Sequence, residues 1–426
     1  MTSPASPDPV AHEGRTPQRP GSVVVVGAGL AGAATVAALR DQGFDGHVTV
    51  LGGEGVEPYD RPPLSKELLD RTAPAPLRDE VGADVALADD VRLDDPATGL
   101  DLDDPRPAVR TATGVVVADA VVLATGAHAV VPPTWRGART LHTWRDATDL
   151  REALRDGAAG RRLVVVGAGW IGAEVAGVAA RAGVDVTVVE AATAPLATAL
   201  GPAVGSWTVP WYGAAGVRLL TGVRVAAVEP GEVLLDDGTS LPADVVLVAI
   251  GARPSSGWLS GALPLEPDGS LAVDDAFRVL ATDAPVVAVG DLAVRTSPRH
   301  GVVPGGHWDG ALRGPSVAVR RLLGGPSSPA DDLTPYVFST QLGHELALHG
   351  HPATDDDVVV RGDVAGAVTA LWFRPGTDRL SAVLSVDRPR DVAAARRLFT
   401  GPDLPLLDRT RAADPDVPLK AAVLAG

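Results

Sequence analysis

A glycine-rich turn follows the first apolar run of the chain and has the spacing of a phosphate-binding loop. The motif is Gly27-x-Gly29-x-x-Gly32, and it comes directly after a valine run that begins at Val23. In such a turn the first glycine permits a tight bend, the second lets a pyrophosphate approach the backbone, and the third allows close packing of helix on strand. Because a strand and a helix are predicted on either side, the motif indicates a dinucleotide site rather than a turn that serves packing alone.

The same spacing returns later, at Gly167-x-Gly169-x-x-Gly172, again after an apolar run. The strand predicted to follow it ends in Glu190, roughly 20 residues on, where a carboxylate can accept a hydrogen bond from a ribose 2′-hydroxyl. No arginine or lysine occurs over 190–195, so a 2′-phosphate would meet repulsion and no partner. The pattern favours NADH over NADPH at this motif. A solvated acid at a strand end is the alternative interpretation of Glu190.

Two dinucleotide motifs on one chain indicate two bound nucleotides, and FAD with a nicotinamide nucleotide is the common pairing for hydride transfer. The chain contains no cysteine. A structural disulfide, a thiolate metal site and a redox-active cysteine pair are therefore excluded. Electrons that leave a flavin bound to this chain therefore cannot pass to a disulfide of the same chain.

Each glycine motif is predicted to lie in a βαβ unit that closes with an apolar strand ending in glycine. The elements predicted for the first unit are a strand from Val23, a helix over 30–40, strands over 47–51 and 114–117, and the run 120–124 before Gly126. Those predicted for the second are a strand over 163–166, a helix over 173–182, and strands over 184–190 and 243–250 before Gly251. The two units form an internal repeat at the scale of a domain.

A smaller third unit is predicted after a proline- and glycine-rich linker over 324–335. Before the linker, a strand over 285–289 ends at Gly290-Asp291 and a helix is predicted over 310–323. The elements predicted after it are strands over 358–361, 368–373 and 380–386, and a helix near 391–399. The predicted fold class is α/β, with two Rossmann-like nucleotide-binding domains, for FAD and NAD, and a C-terminal α+β domain.

The predicted boundaries place an FAD-binding domain over 22–135 and 268–330 and an NAD-binding domain over 136–267. A C-terminal domain of the kind that forms interfaces or dimers covers 331–426. Residues 1–21 are rich in proline and polar side chains and lack the apolar core of a signal peptide, so a disordered tail on a cytoplasmic protein is predicted. No apolar run approaches the ~18 residues of a membrane span. The formal net charge of −16 argues against nucleic-acid binding, because phosphate would be repelled.

The ten-residue segment Glu57-Pro58-Tyr59-Asp60-Arg61-Pro62-Pro63-Leu64-Ser65-Lys66 resembles the signature of the FAD-dependent ferredoxin reductases. Other segments similar to that family are Ala124-Thr125-Gly126, Gly251-Ala252-Arg253-Pro254, Gly290-Asp291, Trp308-Asp309-Gly310-Ala311, Arg388-Pro389-Arg390-Asp391 and Ala395-Arg396-Arg397-Leu398. The resemblance extends from about Ser22 to the end. It implies that NADH delivers hydride to FAD and that single electrons then pass to a small [2Fe–2S] ferredoxin serving a cytochrome P450 or an oxygenase.

The resemblance also implies roles for individual residues. Lys66 is expected beside the flavin, paired with Glu174, and these two are the predicted catalytic residues. Asp291 is expected to accept from ribityl hydroxyls or to cap a helix, and Trp308 to lie against the flavin or simply in the core. The predicted cofactor-binding residues are Gly27, Gly29, Leu30, Ala31, Gly32, Glu54, Arg61, Lys66, Val91, Thr125, Gly126, Asp291, Trp308, Gly167, Gly169, Ile171, Gly172, Glu190 and Gly251.

The chain departs from the family pattern at several positions. Where the family often has an acid for the adenosine ribose, this chain has Gly53, and Glu54 is the candidate substitute. His128 and Val130 occupy the region where the family has arginines after its Ala-Thr-Gly segment. The family's Phe-Trp-Ser-Asp-Gln segment reads Val337-Phe338-Ser339-Thr340-Gln341 here. These changes bear on FAD affinity and partner docking rather than on the fold.

Two surface features invite functional interpretations of their own. His344, His349 and His351 suggest a metal site, but on a strand only the last two share a face and no cysteine or paired acid completes the set, so no metal is predicted. The acidic run 79–104 is interpreted as a solvated hairpin surface. An acidic ferredoxin would need a local basic patch, and the candidates for it are Arg295, Arg299, Arg313, Arg320 and Arg388; an ordinary exposed arginine face is the alternative.

Two other functions are compatible with the same motifs. One is an NADH oxidase or diaphorase that reduces a small acceptor or oxygen. The other is a non-catalytic flavoprotein resembling apoptosis-inducing factor, which would respond to NADH by a change of conformation. In either case no membrane is involved, and the chain is expected to be a monomer or a homodimer.

Overall fold

A five-stranded parallel sheet carries the first glycine motif at the end of its central strand. The computed structural model describes residues 19–155 and 160–424. The strands lie in the order Val286–Ala288, Ala120–Leu123, Ser22–Val26, His47–Leu51 and Asp90–Arg92. Parallel strands covered on both faces are expected to be continuously apolar, and Val23 to Val26 are indeed all buried. The strand at one edge comes from far along the chain, so this first unit is built from two segments.

Helices and two small sheets complete the first unit. The α-helices are Leu30–Asp41, Pro63–Lys66, Leu77–Glu80 and Trp308–Leu322, with 3-10 turns at Val85–Leu87, Gly257–Leu259, Gly290–Leu292 and Pro329–Asp331. One small sheet pairs Ala97–Asp101, Ala108–Thr111 and Val115–Val117, and the other pairs Leu271–Val273, Ala293–Ser297 and Gly301–Val303.

The second glycine motif follows an inner strand of a second parallel sheet, which has four strands. Their order is Arg218–Thr221, Asp185–Glu190, Arg162–Val166 and Val245–Val248. The α-helices of this unit are Trp144–Arg155, Trp170–Arg181, Ala197–Gly205 and Val209–Ala214, with a 3-10 turn at Ser206–Thr208, and an antiparallel sheet of Val225–Glu229, Glu232–Leu235 and Ser240–Pro242 lies beside them. The chain crosses between the units through a two-stranded ribbon in which Ala127–Ala129 pairs antiparallel with Ala252–Pro254.

The third unit is a five-stranded antiparallel sheet with helices on one face. Its strands lie in the order Tyr336–Gln341, His344–Gly350, Leu380–Val386, Val368–Phe373 and Asp357–Gly362, and its helices are Pro389–Leu398, Arg409–Ala413 and the 3-10 turn Leu419–Ala422. These helices cover one face with an apolar core that includes Phe373 and Phe399. The other face shares a core with the first two units, where Leu348 belongs to the same cluster as Leu64 and Val175. The predicted fold class is confirmed, whereas the exact domain boundaries stay predictions.

Several sequence predictions differ from the structure in detail. The helix predicted over 173–182 starts at Trp170, because Gly169 is its N-cap and the motif's last glycine lies inside the helix. The prediction of a hairpin surface over 79–104 is wrong in part, since Asp90–Arg92 is an edge strand of the main sheet. Within that run Asp95 is buried and accepts from the Thr111 hydroxyl at 3.0 Å.

The predicted linker and the end of the predicted N-terminal tail both make definite contacts. The predicted linker over 324–335 contains the 3-10 turn Pro329–Asp331, and Asp331 and Asp332 are both buried. Of the predicted N-terminal tail, residues 1–18 lie outside the described residues, and the amide of Gly21 donates to Asp119 at 2.9 Å. Among the helices of the described ranges, none is both long enough and apolar enough to cross a bilayer.

Candidate cofactor and redox site

The first glycine turn leaves open space in front of a helix N-terminus. Gly27 has φ of +111°, and a Cβ there would lie 2.2 Å from the Ala124 carbonyl oxygen. A Cβ on Gly32 would lie 1.8 Å from the carbonyl oxygen of Gly27, so both positions require glycine for packing. The position between them differs, because a Cβ on Gly29 would have no neighbour within 4 Å. Gly29 is the N-cap and supplies no side-chain hydrogen bond, which leaves the first-turn amides, from Leu30 on, available to a pyrophosphate.

The second turn repeats this arrangement. A Cβ on Gly167 would lie 2.4 Å from the Ala249 carbonyl oxygen, and one on Gly172 would lie 2.1 Å from the carbonyl oxygen of Gly167. Gly169 again faces open space and is an N-cap without a side-chain bond. The residues present therefore fit a dinucleotide phosphate at both turns. Ile171, in the first turn of the second helix, is 42% exposed and presents apolar surface there.

Glu190 is held beside the second turn by two backbone amides. Its Oε2 accepts from the amide of Ala168 and its Oε1 from the amide of Ala192, both at 2.7 Å. The carboxylate is thus fixed at the end of its strand with a lone pair on each oxygen still free for a hydroxyl donor. Its role toward a ribose stays a prediction, but it is not a freely solvated acid.

A pocket opens at the C-terminal ends of the strands of the first sheet. It is lined by Ala28, Gly29, Gly52, Gly53, Glu54, Val56, Pro58, Tyr59, Arg61 and Leu93. Arg61 Nη2 lies 2.6 Å from Glu54 Oε1, and the Tyr59 hydroxyl donates to Glu54 Oε2 at 2.6 Å. Glu54 therefore lies in this pocket beside Gly53, and its role as a substitute for the family's acid stays a prediction. Val91, a predicted cofactor-binding residue, does not line this pocket, whereas Leu93 does.

Thr125, Gly126 and Gly251 lie where the chain crosses between the first two units. The Thr125 hydroxyl donates to the Ser255 carbonyl at 2.9 Å, and the Gly126 carbonyl accepts from the amide of Ser255 at 2.8 Å. The Gly251 carbonyl accepts from the amide of Val130 at 3.0 Å. Besides any cofactor contact, these residues fasten the ribbon that joins the two units.

Trp308 is the first residue of a long helix, and Asp291 bonds to the backbone just before it. The predicted alternative that Asp291 caps a helix is wrong, because Asp291 lies inside the 3-10 turn Gly290–Leu292, whose N-cap is Val289; its Oδ1 accepts from the amide of Gly306 at 3.1 Å. Trp308 Nε1 donates to Asp60 Oδ1 at 2.7 Å, and burial raises the pKa of Asp60 despite that bond. The Trp308 ring also meets Phe338 edge-on at 5.9 Å between centroids, so its orientation is set from two directions.

The predicted catalytic pair is brought together where the units meet. Lys66 ends the short helix Pro63–Lys66, and its Nζ donates to Oε1 of Glu174, which is 5% exposed. The Ser65 hydroxyl donates to Glu174 Oε2 at 2.5 Å. Sequence reasoning missed Ser65 and Asp60, although both lie within the ten-residue segment. It also missed Ser339, whose hydroxyl donates to Glu174 from the third unit.

The predicted basic patch does not form. Arg295 and Arg299 are buried against Asp332, with nearest N···O distances of 2.6 and 3.2 Å. Arg320 pairs with Asp331, and Arg388 lies 2.5 Å from Asp391. Of the five candidates only Arg313 has a largely exposed side chain, and it pairs with Asp309 at 3.0 Å. The interpretation as one exposed docking surface is therefore wrong, because acids of the same units bind most of these guanidinium groups.

Two of the three histidines have separate partners of their own. His344 Nδ1 lies 2.7 Å from Asp387 Oδ2, and its ring stacks on Trp211 with centroids 4.2 Å apart. His349 is buried against Tyr336, with 4.5 Å between ring centroids, and burial lowers its pKa to about 4. Within the described ranges no three histidine or acidic side chains are grouped so that they could hold a metal ion.

Comparison with known proteins places this architecture in a family. The profile described as pyridine nucleotide-disulphide oxidoreductase matches residues 21–310, and the one described as reductase C-terminal matches 336–423. Rhodocoxin reductase of Rhodococcus erythropolis is 34% identical, with 94% of each chain covered. The ferredoxin–NAD(+) reductase subunit of the benzene 1,2-dioxygenase system of Pseudomonas putida is 33% identical over 88% of this chain and 92% of its own.

A solved structure agrees with both profiles. The putidaredoxin reductase in a covalent complex with putidaredoxin superimposes with a TM-score of 0.84 at 30% identity, covering 94% of this chain and 97% of that one. The resemblance inferred from the ten-residue segment is thereby confirmed. The chain belongs to the pyridine nucleotide-disulphide oxidoreductase family, among its ferredoxin reductases.

Proposed function

We propose that the protein accepts hydride from NADH, in preference to NADPH, and passes single electrons to a [2Fe–2S] ferredoxin that serves a P450 or another oxygenase. As a member of its family it is an FAD-dependent oxidoreductase that uses NAD(H) and reduces a ferredoxin. The coenzyme preference, the cluster type and the downstream oxygenase are the proposed parts. The same proposal includes a cytoplasmic location and a monomeric or homodimeric state.

One observation carries the proposal: the Lys66–Glu174 ion pair spans two units that each present an open helix N-terminus. Lys66 comes from the unit with the first glycine turn, and Glu174 lies in the helix that the second turn begins. A nucleotide extended from each turn toward this junction would bring the two reactive rings together. FAD supplies the chemistry there, since it takes up two electrons as hydride and can release them singly.

The chain's own residues would assist in three ways. The first-turn amides of the two helices would hold the pyrophosphates. The Lys66 ammonium would favour negative charge that develops beside it, because a preorganised cation in a partly buried site needs little rearrangement. Glu174 would keep that ammonium oriented. Because the chain has no cysteine, the electrons leave to an external acceptor.

Spectroscopy of the purified protein tests the proposal. A flavin absorption spectrum is expected, with fast bleaching by NADH and slow bleaching by NADPH under anaerobic conditions. Added [2Fe–2S] ferredoxin should restore the flavin colour much faster than air does. A protein that cannot be reconstituted with flavin would contradict the assignment. Rapid reoxidation by oxygen would favour an oxidase, and slow bleaching with a long-lived charge-transfer band would favour a non-catalytic flavoprotein.

A further inference from the structure

Side chains from all three units converge on one buried carboxylate. Glu174, from the second unit, accepts at Oε2 from Ser65 at 2.5 Å and at Oε1 from Lys66, both from the first unit. Its Oε1 also accepts from the Ser339 hydroxyl of the third unit at 2.5 Å. Behind that hydroxyl, Gln341 Nε2 donates to Ser339 Oγ at 3.0 Å. The Glu174 carboxylate is therefore the one group that the described residues show bonded to all three units within this site.

The direction of these bonds is fixed by what each group can donate. A serine hydroxyl has one hydrogen and two lone pairs. Because the Gln341 amide occupies a lone pair of Ser339 Oγ, the single hydrogen of that hydroxyl is free to point at Glu174. Ser339 and Gln341 are each 1% exposed, so water does not compete for either. A buried carboxylate that lost such a donor would be left partly unsatisfied.

Side chains from both faces of the strand Tyr336–Gln341 contact the Lys66–Glu174 ion pair. Side chains alternate along a strand, so Phe338 lies on the opposite face from Ser339. The Phe338 ring has the Lys66 ammonium nitrogen 5.2 Å from its centroid, within the range of a cation–π contact. One strand of the third unit thus contacts Lys66 directly and Glu174 through the hydroxyl.

The backbones approach closely enough to hold this geometry. Gly177 lies one turn after Glu174 on the helix Trp170–Arg181. A Cβ there would lie 3.0 Å from the Leu342 amide nitrogen and 3.2 Å from its Cα. Leu342 immediately follows the strand and has φ of +51°. Helix and strand end are therefore in direct backbone contact beside the hydrogen bonds.

We propose that Ser339, oriented by Gln341, is a positioning residue of the redox site. It fixes the Glu174 carboxylate so that the Lys66 ammonium is held at the junction of the two nucleotide units, and it makes the third unit part of that site. The inference rests on the proposed function, because the Lys66–Glu174 pair is taken to act beside the flavin. Without the Ser339 hydroxyl, Glu174 Oε1 keeps only the flexible Lys66 side chain as its partner. The Glu174 carboxylate and the Lys66 ammonium would then both become more mobile.

The test compares Ser339→Ala with wild type in anaerobic stopped-flow reduction by NADH. Flavin reduction is expected to slow about tenfold, because a hydrogen bond to a charged group is lost and the pair loses its fixed orientation. The KM for NADH should stay within about twofold, because the nucleotide-binding turns are untouched. In a Glu174→Gln background the same substitution should cause little further loss, since Ser339 is held to act through that carboxylate.

Two control variants separate positioning from general disturbance. Thr340→Ala removes the neighbouring hydroxyl, which donates to Glu345 at 3.1 Å and not to Glu174, and should reduce flavin at the wild-type rate. Ser339→Thr keeps a hydroxyl and should recover most of the lost rate. The inference is overturned if flavin reduction in Ser339→Ala is as fast as in wild type. It is also overturned if Ser339→Ala slows reduction by the same factor in the Glu174→Gln background as in wild type.

A second readout does not depend on the loaded enzyme. In cofactor-free protein, Ser339→Ala should speed amide hydrogen exchange both in residues 336–342 and around Glu174. Thr340→Ala should leave the exchange around Glu174 unchanged. Exchange that rises in the strand alone would mean that the hydroxyl stabilises only its own unit, and would overturn the inference. If instead flavin binding or NADH reduction failed in wild type, the proposed function would fall while this exchange result would still be measurable.

Discussion

At the scale of single residues, the Lys66 ammonium is the group whose placement matters most. It is one of only two lysines in the chain, and it donates to a carboxylate with almost no exposure. The Phe338 ring and that carboxylate contact the ammonium, and two serine hydroxyls hold the carboxylate in turn. Such surroundings make the ammonium a fixed source of positive potential and not a mobile surface charge.

Replacing Lys66 by methionine should therefore slow flavin reduction by NADH about ten- to a hundredfold, since a preorganised charge of this kind is worth that much in rate. Methionine keeps an unbranched apolar stem, so flavin content should be retained. The other lysine provides a matched control, because Lys420 is exposed and far along the chain in the third unit. Lys420→Met should reduce flavin at the wild-type rate. Equal rates for the two variants in stopped flow would contradict the role of Lys66.

Coenzyme choice belongs to the same scale and is expected to depend on Glu190. Glu190→Gln removes the negative charge while keeping one oxygen to accept from a turn amide. The ratio of kcat/KM for NADH to that for NADPH should fall about tenfold, because the 2′-phosphate no longer meets a like charge. Glu229→Gln, on an exposed position of the same unit, is the control. An unchanged ratio would show that the preference is set elsewhere.

At the scale of elements, the close contact between the helix Trp170–Arg181 and the end of the strand Tyr336–Gln341 decides how the second and third units meet. Alanine normally stabilises a helix relative to glycine by ~1 kcal/mol. At Gly177 the added Cβ would press on the Leu342 backbone, which has little freedom because Leu342 is itself buried. Steric conflict should outweigh the helical preference at this position.

Gly177→Ala should accordingly lower the free energy of unfolding by about 1–3 kcal/mol, the usual cost of overpacking. Gly213→Ala is the matched control, because Gly213 also lies in a helix of the second unit but has open space where its Cβ would be. That variant should be neutral or stabilised by up to ~1 kcal/mol. Urea unfolding of the two variants measures the difference, and a stabilised Gly177→Ala would mean that the contact yields easily.

The elements also show how far local sequence patterns extend. Valine runs, glycine turns and alternation predict the two parallel sheets, and the strands Val368–Phe373 and Leu380–Val386 have the predicted bounds. These signals work because they depend on neighbours within a few residues. Contacts between distant segments give no such signal: Trp308 and Asp60 are 248 positions apart, and Ser339 and Glu174 are 165 apart.

The failures of sequence reasoning have the same cause. The arginines that were candidates for a docking patch have only their charge in common. No feature of the neighbouring sequence indicates that Asp332 binds two of them. The Lys66–Glu174 contact was predicted only because a family resemblance supplied it. Without that resemblance, nothing in the sequence indicates that a lysine after Pro-Pro-Leu-Ser and a glutamate just after a glycine motif are neighbours.

At the scale of the whole molecule, Arg299 links the first unit to the third, and Asp332 holds it in place. Asp332 accepts from Arg295 and Arg299, and Arg299 Nη1 donates to the carbonyls of Phe399 and Gly401 at 2.9 and 2.7 Å. Burial alone would raise the pKa of Asp332, but the hydrogen bonds from Arg295 and Ser297 outweigh it and hold that pKa below its usual value. Its stabilising effect is therefore present above the unfolded-state pKa and is lost as the pH falls through the lowered folded-state pKa.

Asp332→Asn should lower the free energy of unfolding at pH 7 by about 3–5 kcal/mol, because two buried guanidinium groups lose their counter-charge. The difference from wild type should begin to shrink below pH ~4, where the Asp332 carboxylate of the unfolded chain starts to take up protons, and should shrink further as the pH falls through the lowered folded-state pKa. Asp79→Asn, which removes an exposed partner of Arg78, should change stability by less than about 0.5 kcal/mol. Urea unfolding at pH 7 and pH 3.5 checks both; a pH-independent difference would contradict the assigned titration.

The small ribbon of Ala127–Ala129 and Ala252–Pro254 has a consequence for how this architecture can be altered. The chain leaves the first unit and returns to it through two paired neighbouring strands, so the whole segment between them begins and ends at one place. Inserted modules with adjacent ends are the ones that tolerate transplantation. The second unit of a relative that prefers another coenzyme should therefore be exchangeable here through two splice points, provided that it brings a glutamate to meet Lys66, Ser65 and Ser339.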